Sequence, residues 1–279
     1  MADLPPRRKK KGGYSGNHQR SWLWGHHAVC ETLESGIWPV LEIFVSSEAY
    51  PQYADLLRKK QNSGVPVEVV DYSRLEQLSQ STEHQGIIAR LGAYPYHSMS
   101  DFEKVLKASM SDNSAQASVS SGVGSSVPLV VICDRIQDAF NFGAILRCCE
   151  GANVTGAIVG DRNQAEVTPH VARSSSGAVN HIPITRVLNL ADAIRQVKHL
   201  GLQVVAADAN ARTTVWESSL AQPTALLVGS EAHGIRPDLL ELCDQRVIIP
   251  MLGHVSSLNV AVATGIVLYE IRRQQLAKL

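Results

Sequence analysis

The chain has 279 residues, 44% of them hydrophobic and 19% charged, with 26 basic and 26 acidic side chains that cancel. This balance excludes a polyelectrolyte, and no apolar run approaches the roughly 18 residues a membrane span requires. The five cysteines, Cys30, Cys133, Cys148, Cys149 and Cys243, include no CxxC pair, which excludes common zinc spacings and a disulfide framework and fits a reducing cytoplasm.

Residues 1–20 hold six Lys or Arg against one acid, with a run from Arg7 to Lys11. No apolar segment follows the run, so a secretory signal is not expected. The segment reads either as a disordered basic tail or as a source of salt-sensitive phosphate contacts. Residues 21–98 are predicted to form a small α/β unit. Its strands are Leu41 to Val45, Val65 to Val70 and Gly86 to Leu91, with helices at Tyr53 to Gln61 and Ser73 to Leu78. Residues 99–127 are read as a flexible linker, because Ser, Gly and Ala dominate from Ser109 to Val127. The Asp101 to Met110 stretch reads as a last helical turn or two before it.

From Pro128 onward strands alternate with helical patterns. The predicted strands are Leu129 to Asp134, Gly156 to Gly160, Leu202 to Asp208, Ala225 to Ser230 and Arg246 to Pro250. They are apolar on both parities, as parallel strands covered on both faces should be. Between them, Asn189 is the predicted N-cap of one helix and Gly201 its C-terminal stop. A long helix is expected from Asn259. The pattern gives an α/β domain over 128–279 with a parallel sheet, whose ligands bind beyond the carboxyl ends of the strands.

Three clusters fall at those ends. The first, Asp134 to Arg147 (DRIQDAFNFGAILR), follows a strand and opens a helix that Asn141 is placed to cap. The second, Leu227 to Pro237 (LVGSEAHGIRP), brackets Glu231 between Gly229 and Gly234. The third, Ile249 to Glu270, breaks at Pro250 and Gly253 and offers Ser256, Ser257 and Asn259 before a helix rich in small residues. Taken singly, the first reads rather as a capped helix, the second as a glycine-rich turn and the third as an ordinary helix start. No phosphate-binding GKS or GKT and no GxGxxG at a strand–helix junction is present, which disfavours a nucleotide or dinucleotide fold.

In this order and spacing the three clusters resemble the signature motifs of the SpoU (TrmH-like) RNA 2′-O-ribose methyltransferases of the SPOUT superfamily. The resemblance covers essentially all of residues 128–279. It implies a C-terminal trefoil knot, a feature that pattern reasoning never proposes, and a homodimer with a shared active site. It also implies S-adenosylmethionine as cofactor, held around Gly229, Ile249 and Leu258. The catalytic neighbourhood it implies is Arg147, Asn141, Glu231, Ser257 and Asn259, with Glu231 as a candidate to orient Arg147; no metal is called for. One departure stands out, since Ala139 occupies a position where the family usually has proline.

The segment His170 to Ala178 resembles a family segment in which Arg173 and Ser176 would contact RNA or an interface. Trp24 to Leu33 and Glu83 to Leu91 resemble the RNA-recognition domain of the ribosomal branch. That makes a guanosine of 23S-type large-subunit rRNA the expected substrate, with tRNA methylation or a non-catalytic RNA-binding scaffold as alternatives. His26, His27 and His84 in those segments read equally as packed or capping histidines.

Overall fold

The structure is a computed structural model and describes residues 21–111 and 127–278. The expected basic tail at 1–20 and most of the expected linker lie outside the described residues. The N-terminal unit contains β1 (Trp22–Trp24), α1 (His26–Ser35), β2 (Val40–Ser46), α2 (Tyr50–Asn62), β3 (Val67–Val70), α3 (Tyr72–Ser79) and β4 (Ile87–Leu91). Its sheet runs β1-β4-β2-β3. β4 is antiparallel to both β1 and β2, and β3 is parallel to β2.

The expected linker begins later than its composition implied. Met99–Ser111 form a regular helix, α4, and its Phe102 and Leu106 are fully buried. Phe102, Leu106, and on a second turn Met99 and Met110, share a helical face that the serine-rich chain after it obscures. These side chains pack with Val130, Ile132, Ile158 and Val204, on one face of the large sheet. The helix therefore belongs to the covering layer of the second unit.

That unit comprises β5 (Leu129–Asp134), α5 (Ala139–Gly151), β6 (Gly156–Gly160), α6 (Pro169–Ser174), β7 (Ile184–Val187), α7 (Leu190–His199), β8 (Gln203–Ala207), β9 (Thr213–Thr214), β10 (Thr224–Gly229), α8 (Pro237–Leu240), β11 (Gln245–Ile248) and α9 (Val260–Leu276). The seven strands lie in the order β7-β6-β5-β10-β8-β11-β9, and every pairing is parallel. The strands β5, β6, β8 and β10 are buried almost throughout, which accounts for their unbroken apolar runs. Asn189 caps α7 by accepting from the Ala191 N–H at 2.9 Å, and Gly201 follows with φ 91°. Both positions were legible in the sequence; β1, β7 and β9 were not among the predicted strands.

The two units are packed together. One continuous cluster of buried side chains runs from Leu23, Val29 and Ile43 to Phe142, Ile145 and Val179. At the contact, buried Asn180 donates to Thr32 Oγ1 at 3.1 Å, and Tyr94 donates its hydroxyl to the Val179 carbonyl at 3.3 Å. His97 forms a parallel bridge to Thr185. Arg173 of α6 lies over the Trp24 ring at 3.5 Å from its centroid. No helix of the described residues is long and apolar enough to cross a membrane.

Candidate active site

β5 and β10 are neighbours, and the two loops leaving their carboxyl ends are tied together. Asp134, buried at the end of β5, accepts from the Arg236 N–H at 2.9 Å and pairs with the Arg236 and Arg135 guanidinium groups at 3.2 and 3.4 Å. Gly229 ends β10, and a Cβ there would lie 2.4 Å from the backbone of Gly234 and Ile235. The glycine at 229 is thus demanded by the chain folding back on itself, and only a residue without a side chain allows that turn.

The first motif meets the same loop from the other side. Asp138 caps α5, its carboxylate accepting from the Asn141 N–H at 2.8 Å. This corrects the expectation that Asn141 is the cap. The carboxylate of Asp138 satisfies the free donor and suits the positive end of the helix dipole, which leaves the Asn141 amide available. Asn141 Nδ2 donates to Glu231 Oε1 at 2.8 Å, and Asn259 Nδ2 donates to the same oxygen at 2.8 Å and to Asn141 Oδ1 at 2.9 Å. Asn259 also caps α9 by accepting from the Ala261 and Val262 N–H groups. Three residues far apart in sequence, one from each motif, form a closed triangle.

Glu231 does not hold Arg147. Its Oε1 is shared by the two asparagines and the Val260 N–H, and Arg147 makes no hydrogen bond or ion pair with the described residues. Arg147 is exposed on α5, six residues beyond Asn141, or about 9 Å along the helix axis. Ala139 takes the first helical position of α5, where proline is well tolerated, so the departure from the family pattern leaves the helix start intact.

A cavity of about 510 Å³ opens beside the triangle, lined by Gly229, Glu231, Ile249, Ser257, Leu258 and Asn259 among others. All three residues expected around a cofactor therefore line this cavity, together with Ser257. A larger cavity of about 780 Å³ lies between α1 and α2, lined by His26, His27, Cys30, Tyr53 and Lys59, away from the three motifs. Its His26 Nδ1 is 3.0 Å from the Tyr53 hydroxyl, and burial pushes the Cys30 thiol up to about 11.

Sequence reasoning missed Asp134, Arg236 and Asp138, which position the loops. A lone acid at the end of an apolar strand was the available signal for Asp134. Of the remaining histidines, His84 is buried and accepts from the Gly86 N–H through Nδ1 at 3.1 Å, a structural role. Among the described residues no cluster of three or more His, Cys, Asp or Glu side chains is arranged to hold a metal ion.

Residues 128–269 match the SpoU rRNA Methylase family, and residues 22–97 match the RNA 2′-O ribose methyltransferase substrate binding domain. The chain belongs to the SpoU family of RNA methyltransferases. YacO of Bacillus subtilis, named for the TrmH family of tRNA/rRNA methyltransferases, is 33% identical over 93% of this chain and 98% of its own. The SpoU methyltransferase AviRb of Streptomyces viridochromogenes, crystallised with AdoMet, superposes with a TM-score of 0.72 at 25% identity, covering 95% of each chain. An AdoMet-bound rRNA methyltransferase from Sinorhizobium meliloti shares the fold, with a TM-score of 0.73 at 24% identity over 91% of this chain and 87% of its own.

Proposed function

We propose that this SpoU-family enzyme transfers the methyl group of S-adenosylmethionine to a ribose 2′-oxygen, on a guanosine of large-subunit ribosomal RNA. The observation that carries this reading is the Asn141–Glu231–Asn259 triangle at the mouth of the strand-end cavity. The match of residues 22–97 to a ribose methyltransferase substrate-binding domain supports the choice of acceptor atom.

The cavity fits the cofactor by its lining. Its volume lies in the range of small-molecule sites. Val228, Val247, Ile249 and Leu258 offer apolar contact for a purine, and the Glu231 carboxylate suits a cationic sulfonium. Gly229, Ile249 and Leu258 would hold it. When bound, S-adenosylmethionine supplies an already activated methyl group.

The chain's own residues then have two tasks, aligning the ribose oxygen and easing loss of its proton. Glu231 Oε2 has no partner among the described residues and is available to accept that proton. Asn141 and Asn259 fix the carboxylate in place through Oε1. Arg147, through its planar guanidinium fork, holds a phosphate and stabilises charge growing on the oxygen. Ser257, which also lines the cavity, offers a hydroxyl to the substrate.

The same reading includes a homodimer and a C-terminal knot. Val262, Tyr269 and Leu276 are all more than half exposed and recur every seven residues along α9, an apolar stripe suited to a second copy. For the knot, the support is the path of residues 249–259. They leave β11, beyond β8, and return to the 229–234 turn and α5. Action in the cytoplasm, and phosphate contacts from residues 7–11, complete the proposal.

The test is transfer of labelled methyl from S-adenosylmethionine to unmodified total RNA, separated by size and digested to nucleosides. Label in 2′-O-methylguanosine from large-subunit RNA supports the full reading. Because the name of YacO spans tRNA and rRNA, label in tRNA would keep the reaction and replace the substrate. No label on any RNA would sink the reading.

A further inference from the structure

We propose that Phe140 is a stacking platform for an unpaired nucleobase next to the target ribose, a contact that rests on the ribose-methylation reading and gives it a substrate-positioning residue. Phe140 is 63% exposed. Exposure alone argues nothing, because single apolar residues on a surface are ordinary. Its surroundings distinguish it.

The ring is held in place. His170 meets it edge to face, with centroids 4.3 Å apart and planes at 83°. His170 Nδ1 lies 3.1 Å from Arg173 Nη2. A guanidinium only donates, so the imidazole accepts and is neutral. Burial and the neighbouring Arg173 charge lower the basicity of His170, which keeps it so. Arg173 in turn lies over Trp24 of the recognition unit. A chain of four stacked or bonded groups thus fixes an exposed aromatic face and ties it to the N-terminal unit.

The location is equally specific. Phe140 directly precedes Asn141, whose amide is bonded to Glu231. Phe140 and Arg147 are seven residues apart on α5 and share one face, about 10 Å apart along the axis, the length of about three stacked nucleotides. Ala144 between them is small and leaves the strip open. Gly143 abuts Ser174 of α6 on one side, and Cys148 abuts Gly265 of α9 on the other, so the strip runs between those two helices. An aromatic face at one end and a guanidinium at the other suit a base and a phosphate of one RNA strand. Base–aromatic stacking tolerates any base, because each has a π-face.

The experiment uses the full chain and a single-stranded 12-nucleotide RNA carrying 2-aminopurine at its centre. Wild type, Phe140→Ala and Phe140→Trp are titrated at fixed salt and passed through size exclusion, and S-adenosylmethionine affinity is measured by calorimetry. Wild type is expected to quench the probe. Phe140→Ala should weaken RNA binding roughly 5- to 100-fold and lose the quench. Phe140→Trp should retain both, and cofactor affinity and elution volume should not change. No quench with wild type, or unchanged binding by Phe140→Ala, overturns the proposal. So does a Phe140→Ala protein eluting at a smaller size, which would make Phe140 a subunit contact. If wild type quenches the probe in a Phe140-dependent way but methylates no RNA, the base contact stands and the ribose-methylation reading falls.

Discussion

The two sheets of this protein do different things with the same kinds of residue. In the seven-stranded sheet the central strands are buried on both faces, and all pairings are parallel, so every strand delivers its carboxyl end to one edge. In the four-stranded sheet β3 is not buried at any position and the outer half of β2 is partly exposed. The large sheet has burial enough to hold its loops in a fixed triangle of polar groups. The small one leaves surface free and is anchored through its Trp24 edge. On the proposed function, precision and display are separated: the exposed polar triangle is carried on loops of the more deeply buried sheet, and recognition falls to the less buried one.

Perturbing the site loops should therefore affect transfer, and perturbing the small unit should affect stability or RNA affinity. The largest effect is expected from Arg147→Lys, which keeps the charge but loses the planar fork. The transfer rate should drop about 10²-fold or more, with cofactor affinity unchanged by calorimetry; near wild-type turnover would remove the guanidinium from the mechanism. Gly229→Ala should come next. Its Cβ would overlap the Gly234 backbone, and displacing that turn by about an ångström should cost roughly 10²-fold in rate while also weakening cofactor binding. A Gly229→Ala enzyme with normal kinetics would show that the turn is adaptable and that the comparison between the sheets is wrong.

Arg173→Ala tests the seam between the units. Removing the guanidinium over Trp24 should cost about 1–2 kcal/mol, or a few degrees of melting temperature for a chain of this size. Methyl transfer to RNA should decline, and cofactor affinity should not. The smallest effect concerns pH. Burial lowers the pKa of His84, whose Nδ1 must be unprotonated to accept from Gly86. Its stabilising contribution is present in full above its unfolded pKa of about 6.5 and is lost as the pH falls through the lower folded value. Melting temperature should therefore decline with acidification more steeply in wild type than in His84→Phe; parallel curves would show that His84 is not the titrating group.

The sequence by itself determined the alternation of strands and helices in the second unit, because buried parallel strands must be apolar on both parities. It also marked Asn189 as the cap of α7, where a side-chain oxygen directly precedes a helical pattern. The three motifs were legible as local clusters at strand ends. What only the tertiary structure decided was their union. That Glu231 binds the two asparagines, and not Arg147, depends on the strand order that sets β5 beside β10 and brings the chain back at Asn259. The role of α4 as a covering helix was settled in the same way. Composition made residues 99–111 look like the start of a linker, yet burial of Phe102 and Leu106 against the sheet holds them helical. Local propensity is a property of neighbours in the chain, whereas these choices were made by partners tens of residues away.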